Sequence, residues 1–323
     1  MKIFYKFAAY NSNKLVPNIL FWIGFHLFVF TMLALDLGVF HKKVHKIPVK
    51  EAVIWTIVWV SLALIFNILV YFKFGSIKAL EFLTGYVVEY SLSIDNIFVI
   101  ILIFTSFGVK GEYQHKVLFW GILGALVMRG IFIFAGVALI TKFHWVVIIF
   151  GGFLVFTGIK MLFAKEVEIE PEKNPVVRFF RAYFPVSQSF HGEKLFIREN
   201  GKLLATPLFI VLLIIESSDL IFAVDSIPAI LAISQDRFIV YTSNIFAILG
   251  LRSLYFAVSG VMGLFRFLKT GLSFILTFVG VKMLLAYFHF EIPILLSLLV
   301  IISILIIAIL ASVLIKTKPA EIN

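Results

Sequence analysis

The sequence predicts an all-α, polytopic membrane protein of about nine transmembrane helices, built around an inverted three-helix repeat. Three observations predict it. The 323 residues are 62% hydrophobic and 14% charged, with a mean hydropathy of +1.08. Apolar runs near the roughly 20 residues that span a bilayer therefore recur along nearly the whole chain. Two of those runs carry the same acid-bearing phrase, Ser93-Ile94-Asp95-Asn96-Ile97-Phe98-Val99 and Ser217-Ser218-Asp219-Leu220-Ile221-Phe222-Ala223. Finally, three ordered anchors repeat: the acid phrase, Leu126-Val127-Met128-Arg129 with Leu249-Gly250-Leu251-Arg252, and Gly158-Ile159-Lys160-Met161-Leu162 with Gly280-Val281-Lys282-Met283-Leu284. Spacings agree, with Asp95 to Arg129 being 34 residues and Asp219 to Arg252 33. Arg129 to Lys160 is 31 and Arg252 to Lys282 is 30.

Hydropathy read against charged breaks places the spans at about 18–39, 52–73, 79–107, 116–140, 144–163, 204–233, 238–263, 268–288 and 292–315. Residues 1–75 form an N-terminal two-helix segment. Lys2, Lys6 and Lys14 surround a stretch too short for a signal peptide, so no cleavage is expected. Residues 76–163 are the first three-helix repeat and 204–290 the second. Because a unit of three helices returns the chain on the opposite side, the second copy must insert upside down, with a site near the midplane where the copies meet. Residues 164–203 form a polar linker carrying Pro171, Pro175 and Pro185, with a short interfacial helix expected around Phe179–Phe184. Residues 291–323 are a last span and tail.

An odd span count puts the termini on opposite sides. Of the 28 basic residues, seven fall on the N-terminal side and seventeen on the other, which places the N-terminus outside and the C-terminus in the cytoplasm. The net charge of +10 is scattered over short loops, so it sets orientation rather than a nucleic-acid surface. The chain has no cysteine, which excludes disulfides, thiolate metal sites and dithiol redox chemistry of its own.

Carboxylates at bilayer depth cost roughly 2.5–3.5 kcal/mol each on insertion scales, so a repeated pair is a functional-site hypothesis by default. Glu89 and Asn96 are seven apart in the third span; Glu216, Asp219 and Ser226 share a face of the sixth, with Asp225 on its flank. Pro228 is expected to interrupt that helix and free the Val224 carbonyl. Six acids, Asp36, Glu89, Asp95, Glu216, Asp219 and Asp225, stand against the central Arg129 and Arg252, with Lys160 near the cytoplasmic end of its span and Lys282 deeper. Acids outnumber bases by two, so either some carboxyls are protonated or a cation resides among them. Oxygen-only ligands suit Mn²⁺, Mg²⁺ or Ca²⁺, and the residues do not choose among the three.

The candidate metal ligands are therefore Asp95, Asn96, Asp219, Asp225, Glu89 and Glu216, with Arg129 and Arg252 as balancing charges and Asp36, Ser226 and Lys282 as accessory groups. A plainer reading makes the acids buried partners of the arginines. The seven histidines form no ligand pair, and the glycines of Gly121-Ile122-Leu123-Gly124 read as close helix contacts rather than a nucleotide loop. No His-Glu-x-x-His or other nucleophile motif is present, so an enzyme is not expected.

The run Ala79-Leu80-Glu81-Phe82-Leu83-Thr84-Gly85-Tyr86 continuing into Glu89-Tyr90-Ser91-Leu92-Ser93-Ile94-Asp95-Asn96, the block Tyr113-Gln114-His115-Lys116-Val117-Leu118-Phe119-Trp120-Gly121, and Glu216 through Ala229 resemble the TerC/Alx family of bacterial integral membrane proteins. The likeness covers roughly residues 30–290 and leaves the tail, the linker and the last span unmatched. It implies a multi-spanning inner-membrane protein of a family named for tellurite resistance, whose members are associated with manganese export. It also implies that the family's acidic positions fall on Glu89, Asp95, Asn96, Glu216, Asp219 and Asp225. A redox-modulator description attached to Alx-like proteins has no chemical footing in a chain without cysteine. The combined expectation is export of a hard divalent cation, Mn²⁺ first, with the ion as cargo and no resident cofactor. A proton or monovalent-cation exchanger, and a membrane hub serving metal delivery or stress resistance, stay open as alternatives. The expected partners are the cation and the lipid bilayer, not nucleic acid.

Overall fold

The computed structural model describes residues 19–38, 48–163, 174–199, 201–260 and 267–315, with side chains of the first helix described through Leu35. The chain is helical almost throughout: α1 Ile19–Gly38, α2 Val49–Phe74, α3 Ser76–Ser106, α4 Gly111–Lys142, α5 Val146–Phe163 and α6 Pro175–Tyr183, then α7 Pro207–Leu231, α8 Arg237–Leu249, α9 Leu251–Ser259, α10 Leu268–Tyr287 and α11 Ile294–Leu314. Among the described residues, seven helices are long and apolar enough to cross a membrane, or eight if α8 and α9, which meet at a bend of 42°, count as one span. The described apolar part of α1, Ile19–Leu35, is shorter than these, so the count is seven or eight against the nine expected. Large aliphatic side chains on α2 and α11 point outward, as lipid contact requires.

Local chemistry explains the punctuation. Gly75, at φ +87°, is the single residue between α2 and α3, in a backbone region that only glycine visits at little cost. Asn174 caps α6 by accepting from the Val176 and Val177 amides, with Pro175 at the first helical position. Asp236 caps α8 in the same way through Phe238 and Ile239.

The repeat is visible in the packing. α3 lies against α8 as α7 lies against α4, α3 meets α10 as α7 meets α5, and α3–α7, α4–α8 and α5–α10 are pairs that map onto themselves when the two repeats are exchanged. The α5–α10 contact is close enough to demand glycine: a Cβ on Gly280 would sit 2.8 Å from the Gly151 carbonyl oxygen and 2.8 Å from the Val155 nitrogen. α1 leans on this core through Trp22 and Phe25, whose rings pack on Phe238 and Tyr241.

Three expectations need correction. The linker holds more than one short helix: after α6, strands β1 Phe196–Glu199 and β2 Lys202–Ala205 form an antiparallel hairpin, so the sixth span begins at Pro207. Pro228 does not interrupt α7, because it lies in the last turn, where the lost hydrogen bond is near a helix end already. The break comes in the next span instead, at Gly250, where the chain passes close to Trp59 and Tyr90. Residues 261–266, of which 261–263 were expected within that span, and the side chain of Asp36 lie outside the described set.

Candidate functional site

The polar centre of the molecule is organised by Arg129, halfway along α4 and 1% exposed. Its Nη1 donates to Glu89 Oε1 on α3 in a very short contact, to Asn244 Oδ1 on α8 at 3.1 Å and to Ser226 Oγ on α7 at 3.3 Å. Its Nη2 donates to Asp219 Oδ1 on α7 at 3.4 Å. Asn244 Nδ2 donates to the second Glu89 oxygen at 3.0 Å, and Asn96 Nδ2 lies 3.5 Å from Asp219 Oδ1. Both repeats thus meet on one guanidinium. A buried ion of this kind persists only when its partners nearly saturate it.

Next to this centre is a cavity of about 20 Å³, bordered by Asn96, Glu216, Ser218 and Asp219 and otherwise walled by apolar side chains such as Leu118 and Phe222. That is room for one water or one ion, since about 10–15 Å³ measured this way suffices. Asp219 presents to this region a buried oxygen, Oδ2, that makes no hydrogen bond to any described residue. Glu216 fits because α4 carries glycine opposite it: a Cβ at residue 124 would overlap both carboxylate oxygens.

Charge separates this centre from two others. Glu89 and Asp219 both pair with Arg129, and Glu216 lies beside Asp219, so three acids gather about this guanidinium, with Arg252 buried on the neighbouring α9. Asp95 and Asp225 are neighbours of each other in a second cluster, balanced by Lys269 beside Asp95 and Lys160 beside Asp225, with the Thr157 hydroxyl donating to Asp225. Lys282 belongs to a third, with Glu81, Lys78 and Asp236, also balanced.

The structure therefore divides the sequence-derived ligand set. Asn96, Asp219 and Glu216 border the cavity, Glu89 stands behind with Arg129, and Ser226 bonds to the guanidinium. Asp95 and Asp225 face the interface with α5 and α10. Helix geometry is the reason: consecutive residues project about 100° apart, so Asn96 and Asp95 cannot both face Asp219. Arg252 is buried on α9, one residue after the cavity-lining Leu251. Among the described residues, no three His, Asp or Glu side chains converge closely enough to hold a metal without other oxygens. The sequence reading missed Asn244, although Thr242-Ser243-Asn244 is a polar run within an apolar span and could have signalled it.

The integral membrane protein TerC family matches residues 74–320. The chain belongs to that family. The match takes in the linker and the last span, which the motif resemblance had left out, and begins only after α2. TerC-family relatives are similar over most of their length. An uncharacterized membrane protein of Myxococcus xanthus is 53% identical over 81% of this chain and 82% of its own. Alx of Salmonella typhi, whose name proposes a membrane-bound redox modulator, is 47% identical over 88% of this chain and 91% of its own. Alx of Escherichia coli K12 is 46% identical over 89% and 92%. No solved structure matches.

Proposed function

We propose that this integral membrane protein carries a hard divalent cation, Mn²⁺ first, outward across a bacterial cytoplasmic membrane by alternating access around the Asp219 cavity. One observation carries the reading: three acids, Glu89, Asp219 and Glu216, gather at the cavity about the Arg129 guanidinium, and the buried Asp219 Oδ2 accepts no hydrogen bond from any described residue. A dication would offset the negative charge of ionised carboxylates there, and carboxylate and amide oxygens are ligands that hard cations prefer. Arg129 holds Asp219 and Glu89 while the site is empty. An arriving dication competes with Arg129 for Asp219 and draws on Glu216 and Asn96 as further oxygen donors. The meeting of two repeats at the site fits the architecture in which one repeat rocks against the other. The redox description in the Alx name finds no thiol in this chain to act through. Orientation, with the N-terminus outside, rests on the basic residues of the loops.

The test is cellular metal content with and without the protein, repeated with Asp219→Asn and Asp95→Asn. Lower manganese with the native chain, lost with Asp219→Asn, supports the carrier. Unchanged metal content in every strain, together with no Mn²⁺ binding to the purified protein, ends it.

A further inference from the structure

We propose that Glu81 is the hub of a gate that closes the end of the helix bundle opposite the cavity. The proposal rests on the carrier reading and extends it to the route by which the ion leaves.

The cavity lies away from the Glu81 end of the bundle: its α3 residues, Asn96 and Ile100, are in the last third of that helix. Its α4 residues, Leu118 to Ala125, fall in the first half of that helix, and its α7 residues end at Phe222, before the C-terminal turns. Glu81 is in the first two turns of α3, 15 residues before Asn96, or about 22 Å along the axis. Between the two levels the helices pack closely. A Cβ on Gly85 would meet Ser243 Oγ at 3.0 Å and Ile230 at 3.4 Å, and one on Gly136 would meet Leu231 at 2.8 Å.

Glu81 closes the far end. Its Oε2 accepts from Lys78 Nζ at 2.8 Å and from Ser234 Oγ at 2.5 Å, and Lys282 on α10 is a further charged neighbour. Lys78 Nζ in turn reaches Asp236 Oδ2 at 3.3 Å. Lys78 and Glu81 belong to the first repeat, whereas Ser234, Asp236 and Lys282 belong to the second. The bonds from Glu81 to Ser234 and from Lys78 to Asp236 are therefore ones that relative motion of the repeats must break.

Their exposure distinguishes a gate from a permanent clasp. The side chains of Lys78, Glu81 and Asp236 are 14–22% exposed, so water can replace the broken bonds. The Arg129–Glu89 pair, at 2% and 1%, has no such replacement and must stay paired. By the predicted orientation the gate faces outward.

The native chain has no cysteine, so one introduced thiol reports opening directly. Ile230→Cys places it at a site 1% exposed, between gate and cavity. A membrane-impermeant maleimide added from the gate side should modify it slowly in the otherwise native chain and about tenfold faster with Glu81→Gln, since a hydrogen bond to a charged group is worth about that factor. Ser234→Ala, which leaves every charge in place, should act in the same direction and less. Equal rates in all three overturn the gate. So does an equal acceleration at Leu208→Cys, buried at the opposite end of α7 and off the route, because that would mean general loosening. Labelling needs no transported ion, so accelerated labelling in a protein that neither binds nor moves Mn²⁺ would sink the carrier reading and not the gate.

Discussion

Gly124 and Glu216 are matched across the α4–α7 interface: the carboxylate occupies the space that any side chain at residue 124 would fill. The relation makes a glycine on one repeat the determinant of an acid's position on the other.

Gly124→Ala should consequently spare the fold and impair the site. Alanine favours a helix over glycine by about 1 kcal/mol, and the atoms it displaces are the flexible end of a glutamate. Mn²⁺ affinity, measured by titrating the purified protein, should fall about 10- to 100-fold, as when a supporting contact to a metal ligand is lost. Unchanged affinity with a lower melting temperature would make Gly124 a packing residue only.

Arg129→Leu should be among the most damaging single changes in the molecule. It leaves Glu89 buried with Asn244 as its remaining partner, and removing one member of a buried pair costs about 3–5 kcal/mol. The double variant Arg129→Leu/Glu89→Leu removes both charges and should melt in detergent well above the single one. A double variant as unstable as the sum of the two singles would contradict the pairing.

Gly280→Val tests the contact between the repeats. Its side chain would press on the backbone of α5 at Gly151 and Val155, which cannot move aside as a side-chain tip can. Overpacking of this kind costs about 1–3 kcal/mol. Melting temperature should fall while Mn²⁺ affinity, set about the α3–α4–α7 cavity, changes little. If affinity falls and stability does not, the α5–α10 contact is part of the site.

The all-α, polytopic fold could be read in the sequence because it depends on composition, and the matching of the two halves because it depends on spacing. Which acid faces which could not, because a helix turn separates Asp95 from Asn96 by about 100° and only the packing of α3 on α7 decides which points at Asp219. Proline and glycine misled in opposite directions. Pro228 is the stronger breaker in isolation, yet it sits where α7 is ending, whereas Gly250 is a weaker signal in mid-span and the helix does break there. The hairpin did announce itself through Asn200-Gly201 between two short runs containing Phe196, Ile197, Leu203 and Leu204, a pattern easily overlooked inside a charged linker.

That linker is also tied to the acid phrase. Asn174 Nδ2 donates to Ser217 Oγ at 2.9 Å, while Asn174 Oδ1 caps α6, so one side chain joins the linker helix to the residue after Glu216. α6 is otherwise held by buried Val177 and by Phe180 and Phe184, whose rings meet Phe209 and Phe196. Loss of the cap in Asn174→Ala should weaken α6 by about 1 kcal/mol, or roughly fivefold in the population of its opened form. Trypsin, which can cut after Arg178 and Arg181 only when the helix opens, should cleave there correspondingly faster. Ser217→Ala keeps the cap and removes only the link to α7, so its cleavage should rise less. Equal acceleration in both variants would mean that the bond to Ser217, rather than the cap, holds the helix in place.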